Sequence, residues 1–385
     1  MIRGGDELGE TMPYDNRAVL YSNIETSRKR PLVTYVTSVR PGADAQIGGD
    51  VIPAFTRQLL CIPDDATEVD LLVVSHGGDP TVAWRIVTLL RNRFDKVSVL
   101  LPFSAFSAAT LLAMGADEIV MHAFGNLGPV DPQLHYRRRV PGPDGQPGDV
   151  EDVHFGSEDV RHFLEFLRND VGISDQEPLA KAFELAIKDV GAIPLGIAKR
   201  GTNLAVSMGE KLLSLHMEDK NQAKLIAQSL NSSYYHHGYP VGREEAQSIG
   251  LSITKAEDAG IADDMWAIWQ DYSEEMLIET PFDPMTQVMQ DAQAAQRLTT
   301  LPNLPIPANL PQQVQQQVFQ QFLQQVAVVQ EPPVPYNLFL AAVESVRCRT
   351  QLREQGLLNA IRLADLNIQA TRVRTQYAWE HAAVE

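Results

Sequence analysis

Short apolar runs alternate with amphipathic segments over the first third of the chain. Four β-branched or apolar runs predict strands, at residues 31–39, 70–75, 96–103 and 118–124. Residues 80–94 place apolar side chains on one face behind Asp79 and Pro80, which are favoured at helix starts, so they predict a helix. Residues 107–117 predict a shorter one. Strands and helices at this spacing form right-handed βαβ units, which indicates an α/β fold with a mostly parallel sheet.

The pattern changes after residue 134. Residues 135–159 are dense in proline, glycine and charge, and we expect an exposed loop there. Helical spacing follows in four segments, at 158–171, 176–190, 195–217 and 219–230. Residues 232–253 then predict an extended piece, a turn and a short helix that returns to the sheet.

Shifts of composition divide the chain into four parts. Residues 1–30 are polar without a sustained period and predict a flexible or partner-dependent arm, and residues 31–280 form the main globular domain. Residues 281–310 predict a proline-rich linker, and residues 311–385 a glutamine-rich, α-helical C-terminal extension. Its amphipathic helix cannot bury an apolar stripe alone. We therefore expect the C-terminal helices, including one or two over 336–385, to pack on a helix of this chain or of a protein partner.

Charge and cysteine content exclude several classes of protein. The formal charge of −17 argues against binding to nucleic acid, which needs clustered lysine and arginine. Cys61 and Cys348 are too few for a disulfide framework, and no apolar run is long enough for a membrane span. The N-terminal residues lack the apolar region of a signal peptide. These features predict a cytoplasmic protein.

No nucleotide-binding or zinc-peptidase motif occurs, so we expect no cofactor and no metal.

Two successive strand-to-helix corners carry the candidate chemistry. In "VVSHGGD" a strand runs into Gly77 and Gly78, whose N–H groups are free to point at a developing negative charge. In "PFSAFSAAT" Ser107 opens a helix, and the following N–H can join that of Gly78 in an oxyanion hole. Taken singly, each corner has a plainer interpretation. A serine there is usually a helix cap, and two glycines after a strand usually make only a tight turn.

Together with the blocks that follow, these corners resemble the ClpP-like and crotonase-like serine peptidases. The resemblance is greatest to the serine dehydrogenase proteinase family, relatives of the signal peptide peptidase SppA. It rests on the Gly-Gly turn, on "SAAT", on "ADEIVM" and "LGPVDPQ", and on "HHGYPVGREEAQSIGL", and it covers about residues 32–265. The resemblance implies a ClpP/crotonase-like fold of repeated ββα units.

The same resemblance implies roles for single residues. It makes Ser107 the nucleophile, with Gly78 and Ala108, and also Gly77, at the oxyanion hole, while Ser104 shapes the turn. Peptide or protein substrates and a homo-oligomer are implied as well. Two positions depart from the family pattern, because His76 replaces a proline before the glycines and Ala109 replaces a glycine after Ser-Ala.

The general base stays open at this level. Serine needs a neighbour that removes its proton, and the relatives use either a Ser-His-Asp triad or a Ser-Lys dyad. Lys199 resembles the lysine of the dyad in its placement, Asp131 is suited to orient a base, and His237 (or His236) is a third candidate.

The function predicted is therefore that of a serine endopeptidase. Two rivals remain. One is a ClpP-like scaffold that has kept the fold and lost its base, to which Ala109, His76 and the absence of a nearby lysine point. The other is a crotonase-type acyl-CoA enzyme, which would use the same oxyanion architecture on a thioester.

Overall fold

The computed structural model describes residues 13–141, 147–234, 236–300, 311–323 and 326–383. Its strands are β1 Leu32–Thr37, β2 Val39–Arg40, β3 Ala43–Asp44, β4 Glu68–Val74, β5 Lys96–Leu101, β6 Ser104–Ala105, β7 Glu118–Met121, β8 Asn126–Leu127, β9 Gln133–Pro141, β10 Pro147–Gly156, β11 Ile253–Lys255, β12 Val329–Gln330, β13 Val334–Ser345, β14 Cys348–Arg362 and β15 Ile368–Ala383. Its helices are α1 Pro13–Arg28, α2 Ile52–Cys61, α3 Pro80–Arg91, α4 Ala108–Met114, α5 Ser157–Glu165, α6 Gln176–Val190, α7 Ala192–Leu213, α8 Lys220–Ser232, α9 Arg243–Ser248, α10 Ala262–Glu275, α11 Pro284–Met289, α12 Ala292–Thr299 and α13 Gln312–Leu323.

A nine-stranded mixed sheet organises these elements. Its first half is parallel, in the order β11-β7-β5-β4-β1. The helices α2, α3 and α4 connect successive strands and pack on one face, where α7 and α8 join them. The helices α1 and α10 cover the other face. Since both faces are covered, β4 is buried along almost its whole length, as parallel strands usually are.

The predicted α/β class and its mostly parallel sheet are confirmed. The four strands of the first third and the helices α3 and α4 lie where the apolar pattern predicts them. The four helical segments after residue 158 correspond to α5 with a π-helical turn at Phe166–Asp170, then α6, α7 and α8. The short helix α9 leads into β11 at the sheet edge, also as expected.

The C-terminal extension differs from its prediction. Only α13 is helical among its described residues, and the helices expected over 336–385 are instead the antiparallel strands β13, β14 and β15. The strand β13 pairs with β1, so these strands extend the main sheet. Buried charged residues interrupt the alternation of apolar and polar positions by which a strand is recognised in a sequence. Glu354, for example, is 2% exposed and is paired with Arg372 and Arg374 of β15.

The prediction of a flexible N-terminal arm is wrong for residues 13–28, which form α1; residues 1–12 lie outside the described residues. The helix buries polar side chains whose partners come from distant parts of the chain. Arg17 is fully buried, donates from Nε to Glu344 Oε2 at 3.1 Å, and is paired with Asp271 and Glu275. Such partners leave no local pattern that a sequence could reveal. We call Arg17, Tyr21, Asp271, Tyr272, Glu275 and Glu344 the Arg17 cluster.

Two other expectations need correction. Residues 135–159 are mainly an antiparallel hairpin of β9 and β10, in which Arg137 pairs with Asp152 across the strands at 2.9 Å. The expected linker contains α11 and α12, which bury Val288 and Leu298 against the C-terminal strands. Its proline-rich part at 301–310 lies outside the described residues.

Candidate active site

Two strand-to-helix corners meet at the carboxyl end of the parallel strands. The backbone N–H of Ser75, after β4, donates to Ser104 O at 2.9 Å, and the N–H of Phe106 donates back to Ser75 O at 3.0 Å. These bonds join the corner that contains the two glycines to the corner that leads into α4. The convergence expected from the sequence is therefore present in the structure.

The glycines permit this close approach. Gly77 has a φ of +102°, and a Cβ placed there would lie 2.7 Å from Ser107 Cβ and 3.0 Å from Ala108 N. Gly78 has a φ of +147°, and its Cβ would lie 2.5 Å from both the N and the O of Ile47. A side chain at either position would push the corners apart or displace the segment before α2. Both glycines are therefore needed for the geometry of this corner.

Ser107 has an unusual backbone conformation. Its φ of 53° and ψ of −117° lie in a region that residues with a Cβ rarely adopt, at a cost of about 1 to 3 kcal/mol. It precedes α4, yet its hydroxyl makes no capping hydrogen bond. The plainer interpretation as a helix-capping serine is thus excluded, because the conformation is strained and the hydroxyl satisfies no helix N–H. Strain held at a polar residue in a cleft is a common property of functional sites.

Neighbouring residues hold the strained turn in place. The N–H of Ser107 donates to Pro129 O at 3.2 Å. Thr110 Oγ1 lies 2.7 Å from Ala105 O and 2.8 Å from Gly128 O, and it accepts from Gly128 N at 3.2 Å. The "SAAT" block is therefore tied through its threonine to the "LGPVDPQ" block, which explains why both blocks occur together.

Two backbone donors remain free beside Ser107. The hydrogen bonds within the described residues leave the N–H groups of Gly78 and Ala108 without an acceptor. The N–H of Ala108 is the first of α4, where a helix has no internal acceptor and its dipole favours negative charge. The N–H of Gly77 is instead donated to Ser75 Oγ at 3.1 Å. The expectation that Gly77 serves as an oxyanion donor does not fit this geometry, and Gly77 acts by permitting close approach.

A histidine that lines the same cleft as Ser107 meets an aspartate. His237 Nδ1 lies 2.8 Å from Asp131 Oδ1, and these side chains are 33% and 13% exposed. Gln133 Nε2 donates to the other carboxylate oxygen of Asp131 at 2.7 Å. The carboxylate therefore accepts from both sides and is fixed in orientation. With Nδ1 turned to Asp131, the Nε2 of His237 is the ring nitrogen left for another partner.

The cleft itself has a volume of about 590 Å³ and contains most of the predicted site residues. Its walls bring Ser107, Gly78, Ala108 and His237 together. The remaining lining residues come from the two corners and α4 and from three further segments, and they are mainly apolar: Gln46, His76, Pro80, Leu111, Val130, Pro132, Gln133, Gly201, Leu204 and Ala205. Ala109, in the first turn of α4, is fully buried and is not among the residues that line the cleft, so its extra methyl does not enter it.

Lys199 lies outside this group. It is exposed near the start of α7, whereas Gly201, Leu204 and Ala205 of the same helix line the cleft. Ser104 is buried, its backbone O joins the two corners, and its Oγ has no partner among the described residues. His236 lies beside the cleft rather than in its wall, and its Nδ1 accepts from Gly238 N at 3.0 Å.

His76 lies at the cleft with its ring stacked on Phe106, at 5.4 Å between centroids and 12° between planes. Desolvation lowers the pKa of His76, and nearby Asp44 raises it by less. The ring is therefore mainly neutral at physiological pH.

Gln46 and Gln133 are the polar cleft residues that sequence reasoning missed. A signal for Gln133 exists, because it ends the "GPVDPQ" block two residues after Asp131. Gln46 has no such signal. It reaches the cleft because Ile47 pairs with Gly78, a contact between segments far apart in the chain.

Comparison with known proteins finds a family match around this site. Residues 53–142, which include both corners, match the model of the ClpP-like SDH-type serine proteinases. The predicted resemblance to the serine dehydrogenase proteinases is thereby confirmed, and the matched segment contains Gly78, Ser107 and Asp131.

Two uncharacterised proteins of Methanocaldococcus jannaschii are similar to this chain. One is 26% identical over 218 residues, which cover 57% of this chain and 63% of the relative. The other is 25% identical over 201 residues, which cover 51% of this chain and 55% of the relative. The chain thus spans less than two thirds of the length of either relative.

Solved structures with partial similarity include a mutant of the 1510-N membrane-bound stomatin-specific protease. It is 14% identical, covers 58% of this chain and 80% of its own, and has a TM-score of 0.33. A probable enoyl-CoA hydratase/isomerase from Mycobacterium abscessus is 13% identical, covers 70% of this chain and 88% of its own, and has a TM-score of 0.25.

Two features are absent from the described residues. They contain no group of three histidine, cysteine, aspartate or glutamate side chains arranged to hold a metal ion. None of their helices combines the length and the apolar character that crossing a membrane requires.

Proposed function

We propose that the protein is a serine peptidase in which Ser107 attacks the substrate carbonyl. The observation that carries the proposal is the strained, uncapped Ser107 with two unpaired N–H groups beside it in a cleft that also contains His237. A hydroxyl, an oxyanion site and a base in one cleft are the three elements that acyl transfer needs. The family match of residues 53–142 supports the same chemistry.

In the proposed reaction, Ser107 Oγ bonds to the carbonyl carbon as its proton passes to His237 Nε2. Asp131 accepts the Nδ1–H of His237 and stabilises the imidazolium that forms. The N–H groups of Gly78 and Ala108 hold the developing oxyanion. His237 then gives its proton to the leaving amine, which leaves an acyl ester on Ser107. Water, deprotonated by His237, hydrolyses the ester and restores the hydroxyl.

We propose His237 rather than Lys199 as the base. His237 lines the cleft and is held by a hydrogen-bonded carboxylate, whereas Lys199 is exposed and does not line it. A lysine base must lose its proton near neutral pH, which requires burial that an exposed side chain lacks.

The proposed substrate is a peptide with an apolar side chain at the cleavage site. Leu111, Val130 and Leu204 form an apolar wall next to Ser107, and the cleft is not lined by any lysine, arginine or carboxylate among the described residues. An apolar side chain gains free energy by leaving water there, while a charged one would lose its hydration without an ion-pair partner.

We also propose a homo-oligomer. The helices α5–α7 expose large apolar side chains that a neighbouring subunit would cover. Leu185 and Ile193, for example, are 58% and 78% exposed. Exposed apolar groups on neighbouring helices are typical of association surfaces. Mass measurement by light scattering tests this part separately from the chemistry.

Labelling with a fluorophosphonate probe tests the chemistry directly. The proposal expects covalent labelling that disappears in Ser107→Ala, falls sharply in His237→Ala and persists in Lys199→Ala. Loss of labelling in Lys199→Ala with retention in His237→Ala would instead establish the dyad. Absence of labelling in the folded parent chain would favour a noncatalytic scaffold. Coenzyme A binding with activity that survives Ser107→Ala would favour the acyl-CoA enzyme.

A further inference from the structure

A second cleft lies near the carboxyl ends of β5 and β7, on the sheet face covered by α10. It has a volume of about 600 Å³ and is lined by Phe103, which follows β5, and by residues along and after α10. We call it the aromatic groove and define it by Phe103, Trp266, Trp269 and Leu277. The Ser107 cleft lies toward the other face, beside α4, so the groove is a separate site.

Aromatic rings build one side of the groove as a rigid platform. Phe103 stacks on Trp269 at 4.8 Å and 11°, and His122 stacks on Trp266 at 5.3 Å and 12°. Phe124, 56% exposed, meets Trp266 edge-on at 4.8 Å. Rings fixed by one another lose little conformational entropy when a ligand packs on them, which is why aromatic residues dominate binding sites.

Leu277 is costly for the fold and yet exposed. It follows α10 with a φ of 55°, a conformation that normally selects glycine at this position of a helix end. The hydrogen bonds of Ile278 N to Ser273 O at 3.0 Å and of Leu277 N to Glu274 O at 3.1 Å identify a Schellman motif. The leucine side chain is 54% exposed, so the described chain gains little burial from it. A strained residue with an exposed apolar side chain in a groove indicates contact with a ligand.

The rim of the groove is negative. Glu274 and Glu279 line it, are exposed, and have no ion-pair partner among the described residues. The adjacent Glu275 points inward and is paired with Arg17 and Arg353. No lysine or arginine from the described part of the chain lines the groove. The groove therefore combines an apolar platform with two unpaired carboxylates.

We propose that the aromatic groove binds an extended peptide segment of a protein partner, with a bulky apolar side chain close to a lysine or arginine. The apolar side chain packs in the groove beside Leu277, and the cation is held by Glu274 and Glu279. The negative charge of the whole chain favours approach of such a segment. This proposal does not depend on the chemistry at Ser107.

Intrinsic fluorescence of the full chain provides the test, because two of its four tryptophans lie in the groove. The probe is the capped peptide Ala-Phe-Pro-Lys-Ala, and its control has glutamate in place of lysine. We expect saturable fluorescence change with the lysine peptide and about fivefold or more weaker binding of the control. The double substitution E274Q/E279Q should remove this preference, whereas E218Q, on an exposed glutamate elsewhere, should not.

Leu277→Gly separates binding from folding. Glycine should raise the melting temperature, because it adopts the left-handed conformation without strain. It should also weaken binding of the lysine peptide about tenfold, because the apolar contact is removed. Higher stability with unchanged binding would overturn the proposal. Absence of any binding by the parent chain would also overturn it, as would a dimer that dissociates in Trp266→Ala, because a second copy would then occupy the groove.

Discussion

The Ser107 cleft and the Arg17 cluster are both polar regions of this fold, and their polar groups are satisfied in opposite ways. In the Arg17 cluster Glu344 accepts from Arg17, from Tyr21 at 3.0 Å and from Tyr272 at 2.9 Å, and all of these groups are buried. In the cleft, two N–H groups have no acceptor among the described residues and Ser107 is strained. The first arrangement pairs its charges within the fold, while the second leaves groups available for the substrate of the proposed reaction.

Ser107→Ala should give the largest effect in the cleft. It removes the proposed nucleophile, so we expect kcat on a peptide substrate to fall about 10⁶-fold, with the melting temperature little changed. Steady-state kinetics and thermal unfolding of the same preparation measure both. Full activity in the variant would show that another group does the chemistry.

Asp131→Asn should give the second largest loss of activity. The amide no longer favours the ring tautomer that leaves Nε2 of His237 free, and we expect kcat to fall by about 10⁴-fold. Lys199→Ala is the matched control, with activity within about twofold of the parent if that lysine is an ordinary exposed side chain. The reverse ranking of these two variants would assign the base to Lys199.

Arg17→Met probes the other region. It leaves the buried carboxylate of Glu344 without its cation, and we expect the free energy of unfolding to fall by about 3 to 5 kcal/mol. Urea unfolding measures the change. The combined change Arg17→Met with Glu344→Gln should recover part of the loss, because the fully buried side chain of Glu344 is then neutral, while the partly exposed Asp271 still lacks its partner. A loss below about 1 kcal/mol would mean that the cluster contributes little to stability.

Ser107→Gly should give the smallest effect, a change in stability that reports on the strain at Ser107. Glycine adopts the backbone conformation of Ser107 without a Cβ clash, so stability should rise by about 1 kcal/mol after the entropic cost of glycine is counted. Activity should be lost as in Ser107→Ala. Thermal unfolding beside the alanine variant distinguishes relief of strain from loss of the hydroxyl. Equal stability of the two variants would contradict stored strain at this corner.

The parallel half of the sheet and the Ser107 corner are predictable because their signals are local. Strands buried on both faces appear as apolar runs, and glycines and small residues mark the turns. Ser107, Gly78 and Ala108 follow directly from these turns. Asp131 and His237 are both candidates from the sequence, but only the fold shows that these two residues meet and that Lys199 lies elsewhere.

The remaining parts depend on contacts between distant residues. The helix α1 and the strand β14 bury charges such as Arg17 and Glu354, and each charge is compensated by a partner far along the chain. A buried charge looks like a surface residue in the sequence, so the sequence predicts a flexible arm in place of α1 and helix in place of β14. The groove escapes prediction for a related reason. Its strained residue, Leu277, looks like an ordinary leucine until its backbone is seen.

The pairing of β1 with β13 has a consequence for biosynthesis. Thr34 of β1 pairs with Glu344 of β13. One edge of β1 therefore stays unpaired until the ribosome has synthesised nearly all of the chain described. Closing so large a loop is slow, and an unpaired apolar strand attracts other nascent chains meanwhile. Chaperone dependence during synthesis, and aggregation of any product that terminates before β13, follow from where that single strand inserts.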